Sequence, residues 1–378
     1  MIQKVAILAN GGDVAGFNAV IRGIKKTAEE KGIECYGFID GYNGLLKNEY
    51  VRLDYNEKAS GILPKGGSII GSSTNANVFQ YKVVKEDGTI EYQDLSAKCI
   101  ENVKQDGFDC VFTLGGDSTQ KSARDFFVKG LNVIGVPKTI DNDVACTDIT
   151  FGYNTAVSVA TEALDRLHTT AETHSRIMVL EVMGRYAGWI ALESAIAGGA
   201  DAALIPEIPY DIDKVVEKIQ RRKSHGKNFD VIVVSEGAYP KGGDISAEKK
   251  ENGQGVINIK FAGAGEKVAK ELEKRTGLTA RCTTLGYVQR GGTPTAYDRV
   301  LSTKYGAKAM QLAIEEKFGN LVVMKEGKLN YVALEEVVGE NKKIGAVEGG
   351  TEESNVRCVT MDHDLVKTAR NIGICLGD

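Results

Sequence analysis

AILANGGD (Ala6–Asp13) and VFTLGGD (Val111–Asp117) decide the fold. Each is a short apolar run closed by Gly-Gly-Asp, with amphipathic sequence after it. Both read as a buried strand, a tight turn and a helix, and the recurrence predicts two half-sites facing one crevice. Working outward, further strands are expected at Lys4–Ala9, Glu34–Phe38, Cys110–Leu114, Val133–Val136, Ile177–Val182, Ala202–Ile205, Val231–Ser235 and Leu321–Met324. Helical periods lie between them at Asn18–Lys31, Thr119–Lys129, Val157–Thr170, Asp213–Ser224, Glu266–Thr276 and Ser302–Glu316. This alternation predicts an α/β protein with mainly parallel sheets. Tyr239–Gly255, rich in Gly, Lys and Glu, reads as an exposed loop, with Glu248-Lys249-Lys250-Glu251 its wettest part. The last forty residues read as short strands and turns. No low-complexity linker divides the chain, so two subdomains are expected to share a cleft.

The 378 residues exceed the ~250–300 at which single cores split, which also favours two subdomains. With 51 acidic against 47 basic residues the net charge is -4, and a nucleic-acid binder would show a basic surplus. No apolar run approaches the ~18 residues of a membrane helix. The opening MIQKVAILANGGD is too short in apolar residues for a signal peptide, so a cytoplasmic protein is expected. Seven scattered cysteines form no CxxC pair and four histidines no HExxH, which removes the common zinc arrangements. Glycine numbers 44, well above the usual ~7% share, and clusters after apolar runs, as where backbone must approach a ligand.

Ligands of open parallel sheets bind beyond the carboxyl ends of strands. Five further loops in that position carry reactive residues: KGGSIIGSS, PKTIDND, EVMGRYAG, SEGA and RCTTLGYVQRGG. Gly11-Gly12-Asp13 and Gly115-Gly116-Asp117 offer backbone N–H groups and a helix dipole to an anion. An Asp there suits Mg²⁺ bridging phosphate oxygens. A plain capped turn explains either motif alone, and their pairing favours phosphate. Thr139-Ile140-Asp141-Asn142-Asp143 sets two carboxylates two residues apart, on one face if the chain is extended. A base, a metal carboxylate and neutralising donors are the parts of phosphoryl transfer, although an Asp/Asn-rich turn is the simpler reading of the pentapeptide in isolation. Arg176, Arg185, Arg281 and Arg290 flank strands or Gly-rich turns, where arginine grips phosphate bidentately. Glu236, directly after the VIVVS strand, suits a sugar hydroxyl. There is no GxxxxGK[ST], and Gly263-Ala264-Gly265 lacks the third glycine of a dinucleotide fingerprint.

GGDVAGFNAVIRG, DGYNGL, GGS, LGGDST, PKTIDND, EVMGRYAGW, IPE, SEGA, GYVQRGG and YDR, in this order over residues 1 to about 305, resemble the 6-phosphofructokinase family. The resemblance implies two Rossmann-like subdomains. A donor domain would take residues 1–152 plus about 289–340, and a sugar-phosphate domain 153–288 plus about 341–378. It implies a cytoplasmic homo-oligomer, a tetramer or dimer, that phosphorylates the 1-hydroxyl of fructose 6-phosphate with Mg²⁺. Carried over by position, Asp141 is the base and Asp143 its companion. Thr139 and Arg185 stabilise the transferring phosphoryl. Asp117 holds the metal, and Gly12 and Gly116 shape the donor turns. Met183, Gly184 and Glu236 meet the sugar, Arg290 meets its 6-phosphate, and Arg176 and Arg281 reach in from a neighbouring subunit.

The sequence departs from the family pattern at several of these positions. Ser118 stands where ATP users resemble GGDG and pyrophosphate users GGDD. It is small and neutral, so it leaves room for a nucleotide. Lys138, in place of the glycine of PGTIDND, is usual in pyrophosphate users and occurs in some ATP-using branches. Thr74 stands where relatives carry an arginine facing the donor, a loss of about 2–4 kcal/mol in the transition state unless Lys138 replaces it. Tyr287 takes the place of a histidine at the 6-phosphate. Arg22 and Lys26 keep two basic effector positions, but Tyr55 replaces a third, against nucleotide activation. The reading is an ATP-dependent 6-phosphofructokinase. Its alternatives are a pyrophosphate-dependent enzyme and a weakened sugar-phosphate or nucleotide sensor.

Overall fold

The computed structural model describes residues 2–54, 59–74, 77–85, 87–251, 257–261, 263–338 and 356–378. The chain begins with β1 (Lys4–Ala9), α1 (Phe17–Glu29), β2 (Glu34–Phe38), α2 (Tyr42–Lys47) and β3 (Tyr50–Arg52), then a hairpin of β4 (Tyr81–Val84) and β5 (Ile90–Gln93). Next come α3 (Ser96–Gln105), β6 (Cys110–Gly115), α4 (Asp117–Val128), β7 (Val133–Pro137) and the long α5 (Tyr153–His174). A second run holds β8 (Ile177–Val182), α6 (Trp189–Ala197), β9 (Ala202–Leu204), α7 (Ile212–Ser224) and β10 (Asp230–Ser235). The hairpin β11 (Ala247–Glu251) and β12 (Ile257–Phe261), α8 (Ala264–Thr276) and β13 (Ala280–Thr284) follow. The chain then returns through α9 (Ala296–Ile314), β14 (Asn320–Lys325), β15 (Lys328–Ala333), α10 (Leu334–Val338) and α11 (Asp364–Asn371).

Two sheets result. The first has the order β15-β14-β7-β6-β1-β2-β3, parallel except for its two edge strands. The second, β13-β8-β10-β9, is parallel throughout. Residues Val5–Ala9 and the whole of β6 are buried, as expected of parallel strands covered on both faces. From β1 the first sheet grows one way through β2 and the other way through β6 and β7. This is a topological switch point, and the crevice it opens lies between the two Gly-Gly-Asp loops.

Helices α1 and α9 cross on one face of this sheet at two glycines. A Cβ on Gly306 would stand 2.3 Å from the Val20 carbonyl oxygen, and one on Gly23 would stand 2.7 Å from that of Thr303. Gly306→Val is therefore expected to destabilise the protein by about 1–3 kcal/mol, as overpacked cores do. An unchanged midpoint of thermal unfolding would contradict that close approach.

Several expectations need correction. Tyr239–Gly255 is not all loop, because Ala247–Glu251 pairs antiparallel with Ile257–Phe261, so Glu248–Glu251 lies on a strand. The last forty residues include a helix, Asp364–Asn371, which opens with the His363 imidazole accepting from the Leu365 backbone N–H. Asp117 does open α4, but α1 starts only at Phe17, so Gly11-Gly12-Asp13 belongs to a longer loop. Helix α6 escaped the sequence reading because WIALESAIA is buried on nearly every side and shows no polar face. Tyr55 and Asn75 lie outside the described residues.

Candidate active site

The first sheet builds one wall from three loops. Gly11, at φ +86°, donates its N–H to the Ser73 carbonyl at 2.9 Å, and Ser72 Oγ donates to the Gly11 carbonyl at 2.7 Å. The KGGSIIGSS loop thus braces the first glycine turn. At the second turn the Gly116 carbonyl accepts from the N–H groups of Thr119 and Gln120, and Gln120 Nε2 donates to the carbonyls of Gly115 and Val136. Asp117 and Ser118 begin α4 at that point. Lys138 is buried at the end of β7, and its Nζ donates to the Gly12 carbonyl at 2.6 Å. Burial, then the neighbouring Arg290 cation, pull the Lys138 amine down to about 8.

Asp141 sits at the floor of the crevice, 5% exposed. Its N–H donates to Thr139 Oγ1 at 3.0 Å, while its own Oδ1 is buried and has no hydrogen-bond partner among the described residues. A buried carboxylate oxygen without a donor is costly, so it suits an incoming hydroxyl. Burial, then Asp143, push the Asp141 carboxyl up to about 6, against the pull of Arg185, Arg290 and Lys138. Burial also raises Asp143, with Arg185 the leading opposing charge. The two aspartates do not lie along extended chain, because Asn142 between them takes a left-handed φ of +55°. Thr150 N–H holds that turn by donating to Asn142 Oδ1 at 2.9 Å.

The second sheet supplies the opposite wall. After β8 the Met183 N–H donates to Gln289 Oε1 at 2.8 Å, and the Arg185 N–H to Glu236 Oε1 at 3.1 Å. Gly184, at φ +147°, and Arg185, at φ +50°, turn the chain sharply. Glu236 follows β10, and burial, then Asp141, raise its carboxyl to about 7. The Arg290 guanidinium lies 5.4 Å from the ring centre of Tyr287 and so close to Gly12 that a Cβ there would stand 2.6 Å from Nη1. It therefore bridges the two walls.

The structure brings together Gly12, Lys138, Asp141, Asp143, Arg185, Glu236 and Arg290, which meet through those contacts and mutual charge effects. Arg176 and Arg281 stand apart. Arg176 precedes the first residue of β8 and Arg281 pairs with Met178, whereas Met183 follows the last residue. A six-residue strand spans about 20 Å. Sequence reasoning passed over Gln289, whose Nε2 is buried and has no hydrogen-bond partner among the described residues, and Ser235, whose Oγ is likewise. Both lie inside quoted motifs, but neither carries charge to draw attention.

For a metal, no cluster of three His, Cys, Asp or Glu side chains gathers among the described residues. Asp117 stands half-buried in the second glycine turn, where a hard cation that takes one or two carboxylates beside phosphate oxygens would find one.

Glycine turns on one wall, arginines on the other and a buried carboxylate between them define a phosphoryl-transfer enzyme of the α/β class. The family model described as Phosphofructokinase matches residues 4–313, and the chain belongs to that family. It is 51% identical to the ATP-dependent 6-phosphofructokinase 2 of Clostridium perfringens over 382 residues, covering 100% of this chain and 99% of the relative. It is 42% identical to the ATP-dependent 6-phosphofructokinase of Chloroflexus aurantiacus strain J-10-fl, covering 100% and 98%. The solved phosphofructokinase of Saccharomyces cerevisiae superposes with a TM-score of 0.74 at 30% identity over 89% of this chain and 45% of that longer one.

Proposed function

We propose that the protein transfers the terminal phosphoryl group of ATP to the 1-hydroxyl of fructose 6-phosphate, giving fructose 1,6-bisphosphate and ADP. The observation that carries this is the buried, unpartnered Oδ1 of Asp141 among three cations. As the sugar oxygen attacks phosphorus, its proton passes to Asp141 and the bond to ADP breaks. Asp143 and Thr139 hold the base, while Arg185 and Lys138 face the charge spread over the transferring oxygens. Met183, Gly184 and Glu236 take the sugar, with its 6-phosphate against Arg290 and Tyr287. Asp117 would hold the Mg²⁺ that accompanies ATP and neutralises its phosphate charge when bound. Gly12, Gly116 and Ser118 line the donor side, and the names of the relatives support ATP there.

On this reading residues 1–152 and about 289–340 form the donor domain, and 153–288 with about 341–378 the sugar-phosphate domain. The active form is a dimer or tetramer, in which Arg176 and Arg281 of a second copy complete the phosphate site. Tyr287, Val288, Tyr297 and Val300, at 75%, 66%, 51% and 61% exposed, support burial against such a copy. No helix among the described residues is long and apolar enough to cross a membrane, and a cytoplasmic setting agrees with that.

The test is fructose 1,6-bisphosphate formation by the purified protein with Mg²⁺ and either ATP or pyrophosphate. Faster turnover with ATP is expected. Turnover only with pyrophosphate would overturn the donor, and silence with both would leave a sugar-phosphate sensor. If Lys138 replaces the arginine absent at Thr74, Lys138→Met lowers kcat with ATP by about 10²-fold or more. Turnover within a factor of two would remove that role.

A further inference from the structure

The motif reading leaves out residues 356–359, yet they touch both halves of the site. Val356 forms an antiparallel bridge with Val144, just after the aspartate pair. The Arg357 N–H donates to the Asp143 carbonyl at 2.8 Å, and its Nη1 donates to the Asn142 carbonyl at 3.2 Å. The guanidinium is half-buried over Trp189, 4.1 Å from the ring centre, and Trp189 Nε1 donates back to the Arg357 carbonyl at 2.9 Å. Trp189 opens α6, four residues beyond Arg185. One oxygen of the Glu207 carboxylate then accepts from both Gly188 N–H and Val359 N–H, each at 2.9 Å. The segment therefore ties the loop that carries the base to the loop that carries Arg185.

Asn142 sits in the left-handed region that side chains other than glycine seldom adopt. Its side-chain oxygen is held by Thr150, and its carbonyl by Arg357. Neither Thr150 nor Arg357 is among the residues assigned to the substrates. Each holds the turn from which the adjoining Asp141 and Asp143 side chains project.

We propose that Arg357 is a positioning residue for phosphoryl transfer, locking the Asp141–Asp143 turn to the Arg185 loop through Trp189. This rests on the proposed role of Asp141, and a separate variant distinguishes the two failures. A one-ångström misplacement of a reacting group costs about 10²-fold in rate while leaving binding largely intact. A merely structural residue would instead lower stability and raise both KM values together.

The experiment compares Arg357→Met, Arg357→Lys and Trp189→Phe with the unmodified full-length protein. The readouts are kcat, KM for ATP and for fructose 6-phosphate, the thermal midpoint, and emission of Trp189, the only tryptophan. Arg357→Met is expected to lower kcat about 30- to 100-fold with each KM within threefold and the emission changed. Arg357→Lys, which keeps a cation over the ring and a single donor, should recover part of that loss. Trp189→Phe keeps an aromatic face but loses the indole N–H, and should fall between them. Should Arg357→Met fail to fold, the other two variants decide. Wild-type kcat in Arg357→Met despite a changed emission would overturn the proposal, as would a loss that tracks KM and midpoint with no recovery in Arg357→Lys. If Asp141→Asn is fully active, the underlying assignment of the base fails instead.

Discussion

Replacing Asp141 by Asn is expected to lower kcat by about 10²–10⁴-fold, the range of a lost general base. The amide keeps the shape of the side chain, so KM for fructose 6-phosphate should stay within a few-fold. Wild-type turnover in Asp141→Asn would remove the residue from the chemistry. The pH profile gives the second arm. Burial and Asp143 push the Asp141 carboxyl up to about 6, so its proton-accepting form is lost as pH falls through that value, sooner than for an ordinary carboxylate. The activity of the unmodified protein should therefore drop about tenfold per pH unit below 6. Glu236, raised to about 7, contributes a separate shoulder. In Asp141→Asn only the Glu236 shoulder should remain, whereas Glu236→Gln should keep the steeper limb near 6.

The second large effect is expected from a single methyl group. A Cβ on Gly237 would stand 1.8 Å from the Arg185 carbonyl oxygen, with Pro206 Cγ at 3.1 Å behind it. Neither neighbour is a flexible side-chain tip, so the Arg185 backbone itself must move. Its N–H bond to Glu236 and the placement of its guanidinium move with it. Gly237→Ala should lower kcat/KM for fructose 6-phosphate by about 10²-fold or more. The proposed donor wall lies on the other sheet, so ATP affinity, measured by direct binding, should change little. Equal weakening of both ligands would show that the variant had perturbed the whole fold.

Much of this architecture was legible because its strands are unambiguous. KVAILA, CVFTLG and DVIVVS are dominated by apolar residues and run into Asn10-Gly11, Gly116 and Glu236, so both their extent and their polar ends could be read directly. Elements without contrast were not legible. Strand β13, ARCTT, is an edge with only Ala280 buried, and α6 has almost no polar face. The paired carboxylates Asp141 and Asp143 could be picked out by type and spacing, but the turn between them could not. Its left-handed Asn142 depends on Thr150 and on Arg357, which is 215 residues away in sequence. Arg290 could be matched to the sugar side from its motif, yet its contact with Gly12 follows from the packing of one wall on the other.

The order of strands also has a consequence for synthesis. The four strands of the second sheet all lie within residues 177–284, whereas the first sheet needs β14 and β15, at 320–333, to reach its full width. Helix α1 likewise waits for α9, whose last residue is Ile314. A chain leaving the ribosome therefore holds every strand of its later sheet before its earlier one can close. The amino-terminal sheet, although begun first, is the last to gain all its strands, and until then its open edge beside β7 is the surface most in need of protection from other chains.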